Sequence, residues 1–359
     1  MNSDHCYIIA EAGVNHNGHL DTAFELIDAA FDAGVDAVKF QIFKAEQLVT
    51  QNAEKAAYQK QNTGDKQSQY QMLKQLALSQ QDYVALAHYC QQKSILFLST
   101  AFDDDSLRFL VDELDVECLK IASGDVTNGP FLLAHAQTGK NIILSTGMAT
   151  LAEVEHALSV LAYGFLDKDA RPTDEALLEA YLSEQGRQQL QQKVTLLHCT
   201  SEYPAPAETI NLKAMDTLAQ AFSLPVGYSD HSAGIAIPVA AVARGACVIE
   251  KHFTLDKNQI GPDHKASLEP DALKMMVDNI RQVEAALGSQ VKRPQMPEMA
   301  TRKVARKSLV AARKIKKGEI FTEENLVVKR PGTGISPMQY WQLLGQASSK
   351  LYQPDDLIE

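Results

Sequence analysis

No run of apolar residues in this chain approaches the roughly 18 to 20 that a membrane-crossing helix requires, so no such helix is expected. The opening MNSDHCYIIAEAG lacks the basic start and long apolar stretch of a signal peptide, and the expected compartment is the cytoplasm. No CxxC pair occurs among the five cysteines, whose odd number argues against a disulfide framework; they read as small buried hydrophobes. Positive charge is also short. A net charge of −11 makes nucleic acid or an anionic membrane surface an unexpected partner. An anionic substrate must therefore meet locally placed lysines.

What is present is material for a large core: 359 residues, 45% hydrophobic, enough for one large domain and a smaller one. Short apolar runs of strand type fall at residues 7–11, 37–41, 95–99, 118–121, 142–145, 194–199, 225–228 and 248–252. Amphipathic helical patterns separate most of them, for example at 21–33, 81–92, 151–161 and 235–244, with a closing one at 270–287. About eight strand and helix units in sequence predict an α/β fold, a TIM (β/α)8 barrel over residues 1–288. An open doubly wound sheet is the alternative. Two segments break the rhythm. A polar excursion at 42–78 reads as a mobile active-site loop, and a charged, glutamine-rich stretch at 163–191 reads as a helical surface insertion. Residues 289–302, with two prolines and mixed charge, read as a linker to a small domain at 303–359. So small a unit is marginal alone and is expected to dock against a barrel, its own or a partner's.

TIM-barrel chemistry sits at the carboxyl ends of the strands, and every strand here ends in polar residues. Lys39 and Lys120, with Thr100, Ser123, Ser145 and Ser229, offer two positive charges and several hydroxyls, the requirements of a phosphate and carboxylate pocket. For one such lysine alone, a satisfied salt bridge is an equal reading. His231 and His252 end neighbouring strands and are placed to share a divalent cation with positions left open for water or substrate. Asp230 and Glu250 read either as partners that orient them or as structural anchors. The carboxylates Glu11, Asp125 and Asp263 are candidates for binding sugar hydroxyls or moving protons.

The stretches IIAEAGVNHNG, DAVKFQIFKAE, FLSTAFD, LKIASGD, IILSTGM, LLHCTSEYPAP, GYSDHS, IEKHFTLD, GPDHKASLEP and KRPGTGISP together resemble the sialic acid synthase family, over nearly the whole chain. The resemblance implies a TIM barrel followed by an antifreeze-like SAF domain. It implies condensation of phosphoenolpyruvate with an N-acylated mannosamine-type sugar, N-acetylmannosamine or, in the legionaminic acid synthases, 2,4-diacetamido-2,4,6-trideoxymannose. It assigns Lys39, Thr100, Lys120, Ser123, Ser145 and Ser229 to phosphoenolpyruvate, and His231 with His252 to a divalent ion, Mn2+ or Mg2+. Glu11, Gln41, Tyr203 and Asp263 fall to the sugar. Arg330 matches an arginine that one subunit's small domain inserts into the other subunit's site, implying a domain-swapped homodimer. Two positions depart from the family pattern: Asp125 stands where many members carry a glutamate as base, and Ser201 where some carry asparagine, implying a different phosphate contact. Two other classes compete. A sialate lyase would require a Schiff-base lysine. A silent sugar-binding homologue would have lost the strand-end lysines and histidines, which this chain retains.

Overall fold

The computed structural model describes residues 5–64, 67–166 and 171–359, which divide into two compact units, 1–288 and 289–359. In the first, β1 (Tyr7–Gly13), β2 (Ala37–Ile42), β3 (Leu96–Ala101), β4 (Cys118–Ile121), β5 (Asn141–Ser145), β6 (Val194–Cys199), β7 (Val226–Asp230) and β8 (Val248–His252) pair in chain order. All pairings are parallel, and β8 pairs back onto β1, with Glu11 beside His252, so the sheet closes. The expected TIM barrel is the observed fold.

Alternation along the strands divides the core in two. Ile9, Ala37, Leu98, Cys118, Ile143, Leu197 and Val248 point inward and fill the barrel. Their neighbours Ile8, Val38, Leu119, Ile142, Leu196 and Ile249 point outward into the core shared with the helices. On β7 the inward position is Gly227, where a Cβ would lie 2.4 Å from the Val248 carbonyl oxygen; a side chain there would hold β7 and β8 apart. The helix Leu20–Ala33 shows how the outer layer is built. It buries Leu26 and Ile27 with three alanines, each large residue stabilising by about 1.5–3 kcal/mol, and it stops at Gly34, whose φ of 79° is left-handed.

Two expectations are corrected. Residues 42–78, apart from 65 and 66, which lie outside the described residues, are not a loop but carry three helices, Ala45–Leu48, Ala57–Thr63 and Gln69–Leu76. Met72 and Leu76 pack with Val14 and Phe43, which fastens this segment over the barrel mouth as a helical cover. Residues 163–191, of which 167–170 lie outside the described residues, are helical as expected but not a mere surface decoration. Tyr163, Leu177, Ala180 and Leu190 are buried in the main core. Glutamine and charge on the outer faces mask that apolar side in the sequence.

In the second unit, β9 (Ser308–Ala311) and β10 (Leu326–Lys329) form an antiparallel pair. Isolated bridges add residues near the C-terminus, including Ile315 to Tyr352. Leu309, Ala311, Ile315, Phe321, Leu326, Tyr352 and Ile358 make its small core. The segment expected as a linker ends in a helix, Glu298–Ala305, that buries no residue. The chain's one tryptophan, Trp341, is 74% exposed here. Charge divides unevenly: residues 289–359 carry thirteen lysines and arginines against seven aspartates and glutamates, and residues 1–288 carry twenty-one against thirty-eight.

Candidate active site

One step beyond the inner apolar layer, the same inward-pointing rows deliver Glu11, Lys39, Thr100, Lys120, Ser145, Cys199, Ser229 and Glu250. With Gln41, Ser123, Ser201, Tyr203, His231, His252 and Asp263 they line a cavity of about 430 Å3. The period of two thus turns a hydrophobic plug into a polar floor within one residue pair.

Lys39 and Lys120 are 2% and 4% exposed, so their charges must be met within the protein. The Lys39 Nζ lies 2.6 Å from Glu11 Oε2 and 3.6 Å from Glu250 Oε2, and donates to Thr100 Oγ1 at 3.1 Å. The Lys120 Nζ donates to Ser145 Oγ at 2.7 Å and stands 3.9 Å from Glu250 Oε1. That same Glu250 oxygen accepts from Ser229 Oγ at 3.0 Å. Glu250 is therefore the hub of the site. Burial works against its charge, but Lys120 and Lys39 outweigh burial and hold its pKa down to about 2. Glu11 accepts from Gln41 Nε2 at 3.0 Å, yet its pKa is raised, first by burial and then, against the pull of Lys39, by the charge on Glu250. Burial and the Glu11 charge push Asp263 up to about 7. Lys39 stays charged because Glu11 and Glu250 overcome its burial, whereas burial lowers Lys120.

Between β5 and β6 the backbone comes close to three small polar side chains. Gly147 donates its N–H to Ser123 Oγ at 2.9 Å, and a Cβ at Gly147 would lie 2.5 Å from Ser201 Oγ and 2.9 Å from Cys199 Sγ. The result is a tight nest of one amide, two hydroxyls and a thiol beside Lys120, suited to oxygens of an anion.

The rings of His231 and His252 lie 5.6 Å apart, centroid to centroid. His231 donates Nδ1–H to the Thr200 carbonyl at 2.6 Å, which leaves Nε2 with its lone pair. The His252 Nδ1 is buried without a hydrogen-bond partner. Burial keeps both imidazoles neutral, with His231 and Lys39 adding to the effect at His252. Neutral imidazoles, one with an orphaned buried nitrogen, are the donors a divalent ion uses. Among the described residues no third histidine, cysteine or carboxylate completes a cluster around them, so water or substrate would fill the remaining positions.

Among the candidates on the barrel unit, Asp125 is not one of the residues lining the cavity. The 3-10 turn Ser123–Asp125 turns Ser123 inward and leaves Asp125 half-buried, accepting from Asn128 Nδ2 at 3.0 Å, with burial raising its pKa. Arg330 belongs to the small unit, where it is exposed and its Nε donates to the Ala305 carbonyl.

Three features escaped the sequence reading. The sequence leaves Glu250 between two roles, although its place two residues from both Val248 and His252 on one strand aims it inward. Asp230 and Lys251 point the other way and form a wholly buried ion pair of 2.6 Å across β7 and β8, behind the histidines. The third is the inner face of the helical cover. Tyr58 stacks on Tyr203 with centroids 4.9 Å apart, and Tyr203 stacks on His231 at 4.1 Å.

Comparison with known proteins agrees with this architecture. Residues 26–292 match the NeuB family model and residues 306–358 the SAF domain model. The N,N'-diacetyllegionaminic acid synthase of Campylobacter jejuni is 50% identical over 98% of both chains. Its namesake in Legionella pneumophila is 46% identical over 96% of this chain and 90% of the other. Among solved structures, the N-acetylneuraminic acid synthetase of Leptospira borgpetersenii, in complex with citrate, is 34% identical with a TM-score of 0.66, covering 83% of this chain and 90% of that one. A closed barrel with a polar floor of paired lysines and carboxylates, matched along almost its whole length by synthases of nine-carbon sugar acids, belongs to the NeuB family and carries a SAF domain after it.

Proposed function

We propose that this enzyme is a nonulosonic acid synthase that joins phosphoenolpyruvate, an N-acylated mannosamine-type sugar and water into a nine-carbon 2-keto acid and phosphate. The observation that carries the reading is the pair of buried lysines, Lys39 and Lys120, bridged by Glu250 on the floor of the cavity. The more specific reading is a legionaminic acid synthase acting on 2,4-diacetamido-2,4,6-trideoxymannose. It is supported by the 50% and 46% identity to synthases of that product, against 34% to the N-acetylneuraminic acid synthetase.

In this reading Lys39 and Lys120, with the nest at Gly147, Ser123 and Ser201, hold the carboxylate and phosphate of phosphoenolpyruvate. Glu250 keeps both ammonium groups aimed at the floor until the anion arrives. The enol carbon forms a bond to the aldehyde carbon of the open-chain sugar, and the aldehyde oxygen takes a proton. Asp263, pushed up to about 7 by burial and the Glu11 charge, is the group able to give or take a proton there near neutrality, and Glu11, also raised by burial, stands beside it. Water adds to the carbon left electron-poor, losing a proton, and the C–O bond to phosphate breaks. Gln41 and Tyr203 orient the sugar. His231 and His252 are the residues that would hold a Mn2+ or Mg2+ ion, which when bound supplies polarisation of the aldehyde.

The direct test is phosphate release from phosphoenolpyruvate with each sugar. Phosphate should appear only with an acylated mannosamine, and 18O placed in the bridging oxygen of phosphoenolpyruvate should leave with the phosphate. Covalent trapping by borohydride in the presence of pyruvate would instead select the lyase. Excess chelator should stop turnover and added Mn2+ or Mg2+ restore it; full activity in chelator would remove the metal from the scheme.

The small unit is proposed to complete the site of a second copy through Arg330, in a domain-swapped homodimer. Its opposite charge to the barrel unit supports docking on a barrel surface, and its core of seven buried apolar residues leaves it marginal alone.

A further inference from the structure

The cavity is charged on one side only. Its charges lie on the barrel side, while the helical cover contributes Leu48, Val49 and Leu73, three half-buried apolar side chains facing the same space, with the neutral amides of Gln59 and Gln69 beside them. Val14, Phe43, Met72 and Leu76, buried and packed with Leu48 and Leu73, extend the same apolar lining into a small core. Tyr58 extends the wall to Tyr203 and His231, which joins the apolar side directly to the reacting end.

We propose that Leu48, Val49 and Leu73 on the helical cover form the subsite for the far end of the acceptor sugar, carbons 4 to 6, and set its specificity. This inference rests on the synthase reading above. Phosphoenolpyruvate takes the lysine floor, which leaves the sugar extending from the histidines toward the cover. A methyl at carbon 6 and an acetyl methyl at carbon 4 find apolar partners on that wall. Hydroxyls at the same carbons lose their water there and receive no hydrogen bond from a leucine or valine. An apolar wall of this kind discriminates by roughly 10- to 100-fold in kcat/KM, the usual limit where a pocket gains from methyl groups without a dedicated hydrogen bond. The cover thus favours a 4-acylamino-6-deoxy acceptor over a hydroxylated one.

The test uses the full chain with Val49→Thr, Leu73→Gln and both together. Each is assayed with 2,4-diacetamido-2,4,6-trideoxymannose and with N-acetylmannosamine, and KM for phosphoenolpyruvate is measured alongside. Val49→Thr is nearly isosteric and secures a folded variant if Leu73→Gln is not tolerated. The ratio of kcat/KM between the two sugars should fall about tenfold or more toward N-acetylmannosamine, mainly through acceptor KM, with KM for phosphoenolpyruvate unchanged. An unchanged ratio, or equal loss on both sugars, overturns the subsite. A wild-type chain that prefers N-acetylmannosamine overturns the legionaminate reading itself, and that result is obtained before any variant is made.

Discussion

Glu250 carries more of the site than any other single residue, because it neutralises two buried ammonium groups at once. Replacing it by glutamine keeps the shape and the bond from Ser229 but leaves Lys39 with Glu11 as its remaining anion and Lys120 with none nearby. Breaking a buried ion pair in this way costs about 3–5 kcal/mol. Glu250→Gln should therefore melt below wild type, and inorganic phosphate should raise its melting temperature more than it raises that of wild type. Equal phosphate shifts would mean that the floor is not where anions bind. A second residue, His135, tests the outer layer. It is wholly buried, donates Nδ1–H to the Phe131 carbonyl at 2.8 Å, and burial lowers its pKa to about 4. Its folded pKa lies below the unfolded value of about 6.5, so between these the unfolded chain binds the extra proton. Stability is whole above pH 6.5 and drains away as pH falls toward 4. His135→Leu should flatten that acid limb by up to about 1.4 kcal/mol per pH unit, read from urea midpoints across the range.

At the scale of elements, the strands were legible and the cover was not. Eight apolar runs, each ending in polar residues, survive in the sequence because both faces of a parallel barrel strand are buried and only its end meets the substrate. The cover reads as loop because its helices barely bury themselves: Ala57–Thr63 buries no residue and Gln69–Leu76 only Met72 and Leu76. Their apolar partners lie on distant segments, and no periodicity within the excursion reports them. Asp125 shows the opposite limit, since a family motif names the residue but the turn that follows β4 decides where it faces. One bond tests whether the cover acts on the sugar side. Asn62 Nδ2 donates to the Pro262 carbonyl at 2.8 Å, tying the cover to the loop that carries Asp263. Asn62→Ala should cost about 0.5–1.5 kcal/mol of stability and raise KM for the acceptor while KM for phosphoenolpyruvate stays put. Equal effects on both substrates would count against a cover that serves the sugar alone.

For the whole molecule the question is whether the small unit serves a barrel, and whether that barrel is its own or a partner's. If Arg330 acts in a partner's site, Lys120→Ala and Arg330→Ala chains, each inactive, should recover activity when their subunits exchange. One barrel in the mixed dimer then keeps Lys120 and receives Arg330. Exchange proven by mass without any recovery would place the arginine in its own chain's site or in none. The uneven charge adds a dependence on salt: docking driven by a basic unit on an acidic barrel should weaken as ionic strength rises and the Debye length shrinks.

Trp341 would report such docking without a label. It is the sole indole of the chain, so excitation at the red edge of protein absorption addresses the small unit and leaves the barrel dark. Standing free, it should emit with the long wavelength of a water-solvated ring and be quenched readily by iodide. Any assembly that covers this face should shift the emission to the blue and shield it. If the proposed pairing covers this face, the light from one exposed side chain would become a titration curve for it, recorded on the unmodified protein during turnover.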